Sequence, residues 1–212
     1  MILELKTKAQ LHLARKLSHI IIGIIAIFIA HILREKSFQI QHLLVILFIV
    51  AVITEYTRHH IQKFNLFFMD LPLLKYLLRE EEKNKVATVS YYITSMTVCF
   101  WFYRWEIAII SILYLTLADP IASIAGHRFG KYKIYRNKSV VGFLSFMLCC
   151  LMINIVLAKI YWNASYLFEH KIIFYFTPII AAMAESLLPL EDNLTIPITT
   201  GAFMHTILYF NQ

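Results

Sequence analysis

The chain has 212 residues, of which 59% are hydrophobic, and a mean hydropathy of +0.66. Its apolar runs are too long and too weakly patterned for a soluble core, and they predict a polytopic membrane protein. The net charge of +7 does not indicate a nucleic-acid partner, because basic residues of membrane proteins concentrate in cytoplasmic loops and beside anionic headgroups. The three cysteines lie in apolar runs without ligand spacing, which argues against disulfides or a zinc site.

In chain order, the apolar runs predict an all-α helix bundle with about seven transmembrane spans, forming one integral-membrane domain over residues 1–212. A basic lead-in, 1–16, precedes the first span, which we interpret as a retained signal anchor. The polar segment 57–87 contains an apolar patch, 66–78, that we expect to lie in the membrane interface. The predicted spans are 17–33, 38–53, 88–103, 107–119, 140–160, 172–188 and 196–210.

The fourth span ends in a carboxylate, Asp119, followed by Pro120. This pair is typical of an N-cap and a first helical residue, and it predicts a break in the span, since a residue before proline avoids the helical region. Broken helices at membrane depth usually line a cavity, and an ionisable residue there is a functional candidate. The structural alternative is that Asp119 only caps a helix.

A loop rich in glycine and cations follows Asp119. The chain has five glycines, and three of them, Gly126, Gly130 and Gly142, lie here. A carboxylate, close backbone approach and positive charge together suit a magnesium-bound polyphosphate. The spacing is not that of a Walker A loop. Two structural alternatives stay open: the small residues form a helix-packing face, or the basic loop serves topology and headgroup contact. The cations are Arg128, Lys131, Lys133, Arg136 and Lys138.

The distribution of basic residues orients the bundle. With seven spans, residues 1–16, 57–87, 127–139 and 189–195 share one side and carry fifteen Lys and Arg residues, while the other side carries five. Because cytoplasmic loops are enriched in Lys and Arg, the first side is predicted to be cytoplasmic. The basic loop and the acidic turn before the last span then lie on the same face, which suggests a single cytoplasmic site.

Four blocks along the chain carry a resemblance to a known family. The central block is L-A-D-P-I-A-S-I-A-G-H-R-F-G-K (117–131), followed by K-S-V-V-G (138–142), and the closing block has D-N-L-T-I-P (192–197) and Gly201. The other matching residues are Arg15, Lys16, His19, Arg79, Glu82 and Glu185. In this order the blocks resemble the CTP-dependent lipid-alcohol kinases, a membrane family that includes dolichol, phytol and farnesol kinases and the fungal diacylglycerol kinase.

The resemblance implies transfer of the CTP γ-phosphoryl group to the hydroxyl of a membrane lipid: a polyprenol, a phytol-like alcohol or diacylglycerol. It implies that Asp119 and Asp192 bind Mg²⁺ and that Lys138 is a third catalytic residue. It also implies that the protein is located in the bacterial inner membrane or the endoplasmic reticulum. No sequence feature indicates an oligomeric state. The nucleotide-binding residues implied are Gly126, Arg128, Gly130, Lys131, Lys138, Ser139, Gly142, Asn193 and Thr195.

One departure from the family concerns chemistry. The family usually has an acidic residue in K-S-x-E-G, where this chain has Val141. The replacement expected from the sequence is Glu191, beside the acidic turn.

Two other functions stay open: a CTP:phosphatidate cytidylyltransferase, which the same pattern faintly resembles, and a non-catalytic transporter or assembly protein. The one-sided polar cluster and the lack of ionisable pairs at mid-span argue against the last.

The charge distribution generates a topological prediction. In a variant without the native cysteines, single cysteines at Lys133 and Glu191 should be protected from an impermeant thiol reagent in intact cells. A cysteine at Lys171, on the predicted opposite side, should react. Labelling at Lys133 from outside would contradict a cytoplasmic site.

Overall fold

A computed structural model describes residues 2–71, 80–135, 138–160 and 165–210. These residues are almost entirely helical, which confirms the predicted all-α class. A short antiparallel hairpin interrupts the helices, with β1 (Lys133–Tyr135) paired to β2 (Lys138–Ser139). The α-helices are α1 (Ile2–Ile32), α2 (Ser37–His60), α3 (Gln62–Asp70), α4 (Thr88–Phe102), α5 (Trp105–Leu113), α6 (Asp119–Phe129), α7 (Val140–Ile160), α8 (Ser165–Glu169), α9 (Lys171–Leu187) and α10 (Asp192–Phe210).

Several of these helices are long and apolar enough to cross a membrane. Among the described residues, three qualify by length and composition: Arg34–His60, Trp105–Phe129 and Val140–Ile160. They coincide with the second, fourth and fifth predicted spans. Helices α4, α9 and α10 overlap the third, sixth and seventh, and have 15, 17 and 19 residues against the roughly 20 that a straight span needs. The membrane bundle is confirmed, and the count of seven stays a prediction.

Large apolar side chains cover the outer surfaces of the first two helices. Ile21 and Phe28 on α1 and Phe38 and Ile53 on α2 are each more than half exposed. Soluble monomers rarely present apolar surface of this extent. Lipid chains are its natural cover.

Helix α5 lies at the centre of the bundle, in contact with α1, α4 and α10. Ile107 and Ile110 on this helix are fully buried, and so is Tyr114 just after it. The Tyr114 hydroxyl donates to Asn154 Oδ1 on α7, and Asn154 Nδ2 donates to the Phe174 carbonyl of α9 at 2.8 Å. Buried polar atoms are costly unless paired, so this chain of bonds fixes the positions of three helices relative to one another.

The predicted break at Asp119 has a different form in the structure. Helices α5 and α6 are joined by a π-helical segment, Tyr114–Ala118, into one continuous rod. Asp119 has helical dihedrals (φ −61°, ψ −48°), so the prediction that it is an N-cap starting a new helix is wrong. In a regular α-helix the Pro120 ring would clash with the carbonyl four residues earlier. The wider π turn directly before the proline accommodates it.

Two other boundaries also differ from the sequence prediction. The described part of the lead-in continues into the first span as a single 31-residue helix, α1. The second helix extends to His60, seven residues beyond the predicted end of its span. Of the predicted interfacial patch 66–78, residues 72–78 lie outside the described residues.

A buried arginine anchors the segment that follows α2. Arg58 is 1% exposed and donates from Nη1 to both oxygens of Glu55 at 2.9 Å. Its Nε donates to Asn65 Oδ1 at 3.2 Å, and its Nη2 donates to the Glu82 carbonyl at 2.7 Å. Glu55 also accepts from Ser90 Oγ at 2.8 Å. One guanidinium therefore connects α2 with α3 and with the turn before α4.

Helix α1 approaches the π segment so closely that only glycine fits. A Cβ on Gly23 would overlap the fully buried Thr116 side chain, with the Thr116 Cβ only 3.0 Å away. Gly23→Ala should therefore destabilise the protein by about 1–3 kcal/mol, the usual range for overpacking. Thermal unfolding in detergent measures this loss.

The second-site variant Thr116→Ala removes the overlapping atoms and should restore most of the loss caused by Gly23→Ala. Ile24→Ala, on the exposed side of the same helix, is the control and should have little effect. A Gly23→Ala protein as stable as wild type would show that α1 does not pack against the π segment.

Candidate active site

The cavity that contains most of the predicted site residues lies where five parts of the chain meet. It has a volume of about 440 Å³, within the range of pockets for small ligands. Helix α1, helix α6, the β-hairpin with the start of α7, the end of α9 and the start of α10 form its wall. The lining residues are Lys16, Asp119, Ala122, Ser123, Gly126, His127, Lys133, Lys138, Ser139, Gly142, Phe143, Glu185 and Asp192.

Three carboxylates converge in this cavity. Asp119 is at the start of α6, Glu185 near the end of α9 and Asp192 at the start of α10. One oxygen from each lies within 4.8 Å of the other two. Asp119 and Glu185 are 6% and 4% exposed, and Asp192 is half-buried. An arrangement of oxygen ligands such as this suits a hard divalent cation, and magnesium is typically bound by one or two protein carboxylates together with substrate phosphates.

Two lysines from distant parts of the chain neutralise these carboxylates. Lys16 Nζ donates to Asp119 Oδ2 at 2.8 Å. Lys138 Nζ donates to Asp192 Oδ2 at 2.7 Å and also to Glu185 Oε1. The second oxygen of Glu185 accepts from the hydroxyl of Ser186 at 2.6 Å. The cluster therefore combines three negative and two positive side chains.

The proton affinities of Asp192 and Lys138 reflect this crowding. Burial raises the pKa of Asp192 to about 6; Asp119 and Glu185 act in the same direction, and Lys138 opposes them. Burial alone would lower the pKa of Lys138, but Asp192 and Glu185 outweigh it and hold that pKa well above its usual range. Lys138 therefore stays a cation, and the repulsion between carboxylates is only partly relieved. A divalent cation would relieve it further.

The glycines of the central stretch pack around one hydroxyl. Ser139 is 3% exposed and its Oγ accepts from the Gly142 N–H at 3.1 Å, which makes it the N-cap of α7. A Cβ on Gly126 would lie 2.9 Å from that Oγ, and one on Gly130 would overlap it. Gly126 and Gly142 also line the cavity. The structure thus gives these glycines the packing role that was one of the alternatives, and their contact with a ligand stays a prediction.

Several predicted nucleotide contacts lie away from the cavity wall. Arg128 and Lys131 are exposed, and the Arg128 guanidinium lies 5.5 Å from the centre of the Phe129 ring. Asn193 Nδ2 donates to the Thr88 carbonyl at 3.4 Å, and Thr195 Oγ1 donates to the Glu191 carbonyl at 3.2 Å. The structure brings none of these four side chains to the lining, and their contact with nucleotide stays a prediction.

The other residues that match the family have mixed positions. His19 forms an edge-to-face contact with Tyr92, with ring centres 5.3 Å apart. Glu82 is buried in the Arg58 network and accepts from the Thr88 hydroxyl. Arg15 belongs to α1, and Arg79 lies outside the described residues.

Sequence reasoning missed two roles that the geometry gives. The sequence identifies Lys16 and Glu185 only as residues that match the family. In the structure Lys16 contacts the carboxylate cluster through Asp119, and Glu185 is one of its three carboxylates. A charged residue near the end of an apolar helix, as at Glu185, is a signal that could have identified its role. Glu191, the expected replacement for the acid missing at Val141, is exposed and does not line the cavity. Glu185 itself matches the family and completes the carboxylate cluster.

Comparison with known proteins gives three matches. CTP-dependent diacylglycerol kinase 1 of Schizosaccharomyces pombe is 31% identical over 146 residues, which cover 62% of this chain and 65% of that protein, slightly less than two thirds of its length. Proteins of the same name from Eremothecium gossypii and Saccharomyces cerevisiae are 26% and 22% identical, covering 93% and 92% of this chain and 68% and 72% of theirs. No family model and no solved structure matches the chain. The matches confirm the resemblance to CTP-dependent lipid kinases.

The carboxylate geometry predicts different effects for two neighbouring glutamates. Glu185→Gln should weaken Mn²⁺ binding by about tenfold or more, since losing even an outer-shell partner of a metal ligand costs 10–100-fold. Glu191→Gln, only six positions away, should leave Mn²⁺ binding unchanged. Paramagnetic resonance of free Mn²⁺ titrated with purified protein measures both. An equal loss of Mn²⁺ affinity in the two variants would show that Glu185 has no specific role in metal binding.

Proposed function

We propose that this protein is a CTP-dependent lipid kinase that phosphorylates the hydroxyl of a membrane lipid at the cytoplasmic face, with diacylglycerol as the first acceptor to test. The observation that carries the proposal is the meeting of Asp119, Glu185 and Asp192 with Lys16 and Lys138 in one cavity. Diacylglycerol is favoured over polyprenols and phytol because the three relatives carry that name.

The acidic residues would hold Mg²⁺. Their oxygens come from three different helices and lie within 4.8 Å of one another, so one cation can contact more than one of them. Hard oxygen donors are the ligands that Mg²⁺ prefers. Mg²⁺ held by these carboxylates would supply positive charge close to the phosphates of the nucleotide.

The lysines of the cavity would hold the triphosphate. Lys16 and Lys138 already lie in the wall beside the carboxylates, and Lys133 and His127 line the same space. Phosphoryl transfer depends mainly on positioning and charge neutralisation, and the three lysines would contribute to both. The hydroxyl oxygen of the lipid attacks the γ-phosphorus, the bond between this phosphorus and its bridging oxygen breaks, and CDP leaves. The hydroxyl proton passes to a carboxylate of the cavity.

The membrane supplies the acceptor. Ala122 and Phe143 give the cavity an apolar part of its wall, and their helices α6 and α7 present exposed Ile121 and Leu144 nearby in the sequence. A lipid whose tails stay in the bilayer can therefore bring its hydroxyl to the cavity from the side. The charge distribution of the loops supports a cytoplasmic position for this end of the bundle.

Labelled CTP distinguishes a kinase from a cytidylyltransferase. With Mg²⁺ and diacylglycerol, label from the γ-phosphate of CTP should enter the lipid fraction, and label from the α-phosphate should not. Asp119→Asn keeps the side-chain size but removes the charge that a magnesium ligand requires, and it should abolish transfer. Thin-layer chromatography of the extracted lipids measures both labels.

Controls with matched proteins make the result specific. Asp70→Asn, at the end of α3 and outside the cavity, should leave transfer unchanged. A polyprenol and phytol tested in parallel identify the acceptor class. Entry of the α-label with release of γ-labelled pyrophosphate would show a cytidylyltransferase, and absence of transfer to all three lipids would overturn the kinase proposal.

A further inference from the structure

The ammonium of Lys138 lies between two of the three carboxylates. It donates to Asp192 Oδ2 at 2.7 Å and to Glu185 Oε1, and those side chains belong to the cluster whose oxygens lie within 4.8 Å of one another. Lys16 differs, because its bond within the cluster goes to a single carboxylate, Asp119. Lys138 thus lies against two of the three carboxylates that could hold a divalent cation.

An ammonium and a divalent cation compete for the space between Glu185 and Asp192. An ammonium donates hydrogen bonds to oxygens at about 2.7–2.9 Å, and Mg²⁺ binds oxygens directly at about 2.0–2.1 Å, so both need a position close to the same two carboxylates. Two positive groups there would repel each other in a half-buried setting. Movement of Lys138 away from the carboxylates therefore favours binding of a divalent cation.

The Lys138 side chain has the flexibility and the exposure that a change of position requires. Its side chain is a flexible four-carbon chain, it starts from a two-residue strand, and it is 33% exposed. Other polar groups facing it across the cavity are Asp119, Lys16 and Lys133. The phosphates of a nucleotide would offer the ammonium new oxygen partners in the same cavity.

We infer that Lys138 occupies the divalent-cation position until nucleotide phosphates draw its ammonium away, so that metal and nucleotide bind cooperatively. This inference rests on the proposed function. When nucleotide is absent, Lys16 and Lys138 neutralise most of the charge of the carboxylates and Lys138 occupies the space between two of them, so metal alone binds weakly. Nucleotide removes the competing cation and brings phosphate ligands for the metal. Each ligand then favours the other by the same factor, as linkage requires.

The test is Mn²⁺ binding in the absence of nucleotide. Lys138→Met removes the charge and keeps a long unbranched side chain, and it should tighten Mn²⁺ binding by about tenfold or more, within the usual range of coupling between sites. Lys138→Arg keeps a cation at the position and should bind Mn²⁺ as weakly as wild type. Paramagnetic resonance of free Mn²⁺, with full-length protein in detergent, gives each dissociation constant.

Lys36→Met is the control for loss of one positive charge. Lys36 lies in the connection between α1 and α2, outside the cavity lining, and its replacement should leave Mn²⁺ binding unchanged. Unchanged or weaker Mn²⁺ binding in Lys138→Met would overturn the inference, and so would equal tightening in Lys36→Met. If thermal melting shows that Lys138→Met is unfolded, Lys138→Gln replaces it in the test. Tighter Mn²⁺ binding is again expected, and unchanged or weaker binding again overturns the inference.

The two proposals fail in different ways. Transfer of γ-label by wild-type protein, with no tightening of Mn²⁺ binding in Lys138→Met, would overturn only the lysine inference. Tighter Mn²⁺ binding by Lys138→Met, together with no transfer of label to lipid by wild-type protein, would overturn only the kinase function. Competition between the ammonium and the metal ion would still stand in that case.

Discussion

The structure depends on neutralising three carboxylates that the fold brings together. An isolated buried charge costs several kcal/mol even after relaxation, and breaking a buried pair by removing one partner typically costs about 3–5 kcal/mol. Lys16 lies 103 positions from Asp119, and Lys138 lies 54 positions from Asp192. Helices α1, α6, α9 and α10 and the hairpin therefore need one another at this end of the bundle. The same residues form the charge pairs and part of the wall of the candidate active-site cavity.

Packing of small residues around Ser139 makes that arrangement possible. Since Gly126 and Gly142 lack side chains, α6 and α7 approach closely, with a Cβ on Gly142 only 3.3 Å from the Ala122 carbonyl. Ser139 caps α7 and so fixes the end of the hairpin that carries Lys138. The same residues that make the two helices fit together place the lysine opposite Glu185 and Asp192.

The sequence predicted the helical class, the position of most helices and the grouping of Asp119, Lys138 and Asp192, which the structure places in one cavity. These predictions succeed because hydrophobic runs and the charged residues beside them are local signals. It did not predict the pairing of Lys16 with Asp119, since nothing in a linear pattern reports a contact over 103 positions. The break expected at Pro120 also rested on a local rule. Tertiary packing overrode that rule by means of the π turn, and α5 and α6 stay continuous.

The π segment Tyr114–Ala118 has a consequence for how this chain tolerates change in length. A π turn holds about one residue more than a regular α-helical turn, so deleting one residue from this segment would return the rod to regular α-helix. The Pro120 ring would then meet the carbonyl four residues earlier, and the rod would bend or break at the proline. A substitution here alters individual contacts, whereas a deletion would change the angle between α5 and α6 and move Asp119 relative to Lys16.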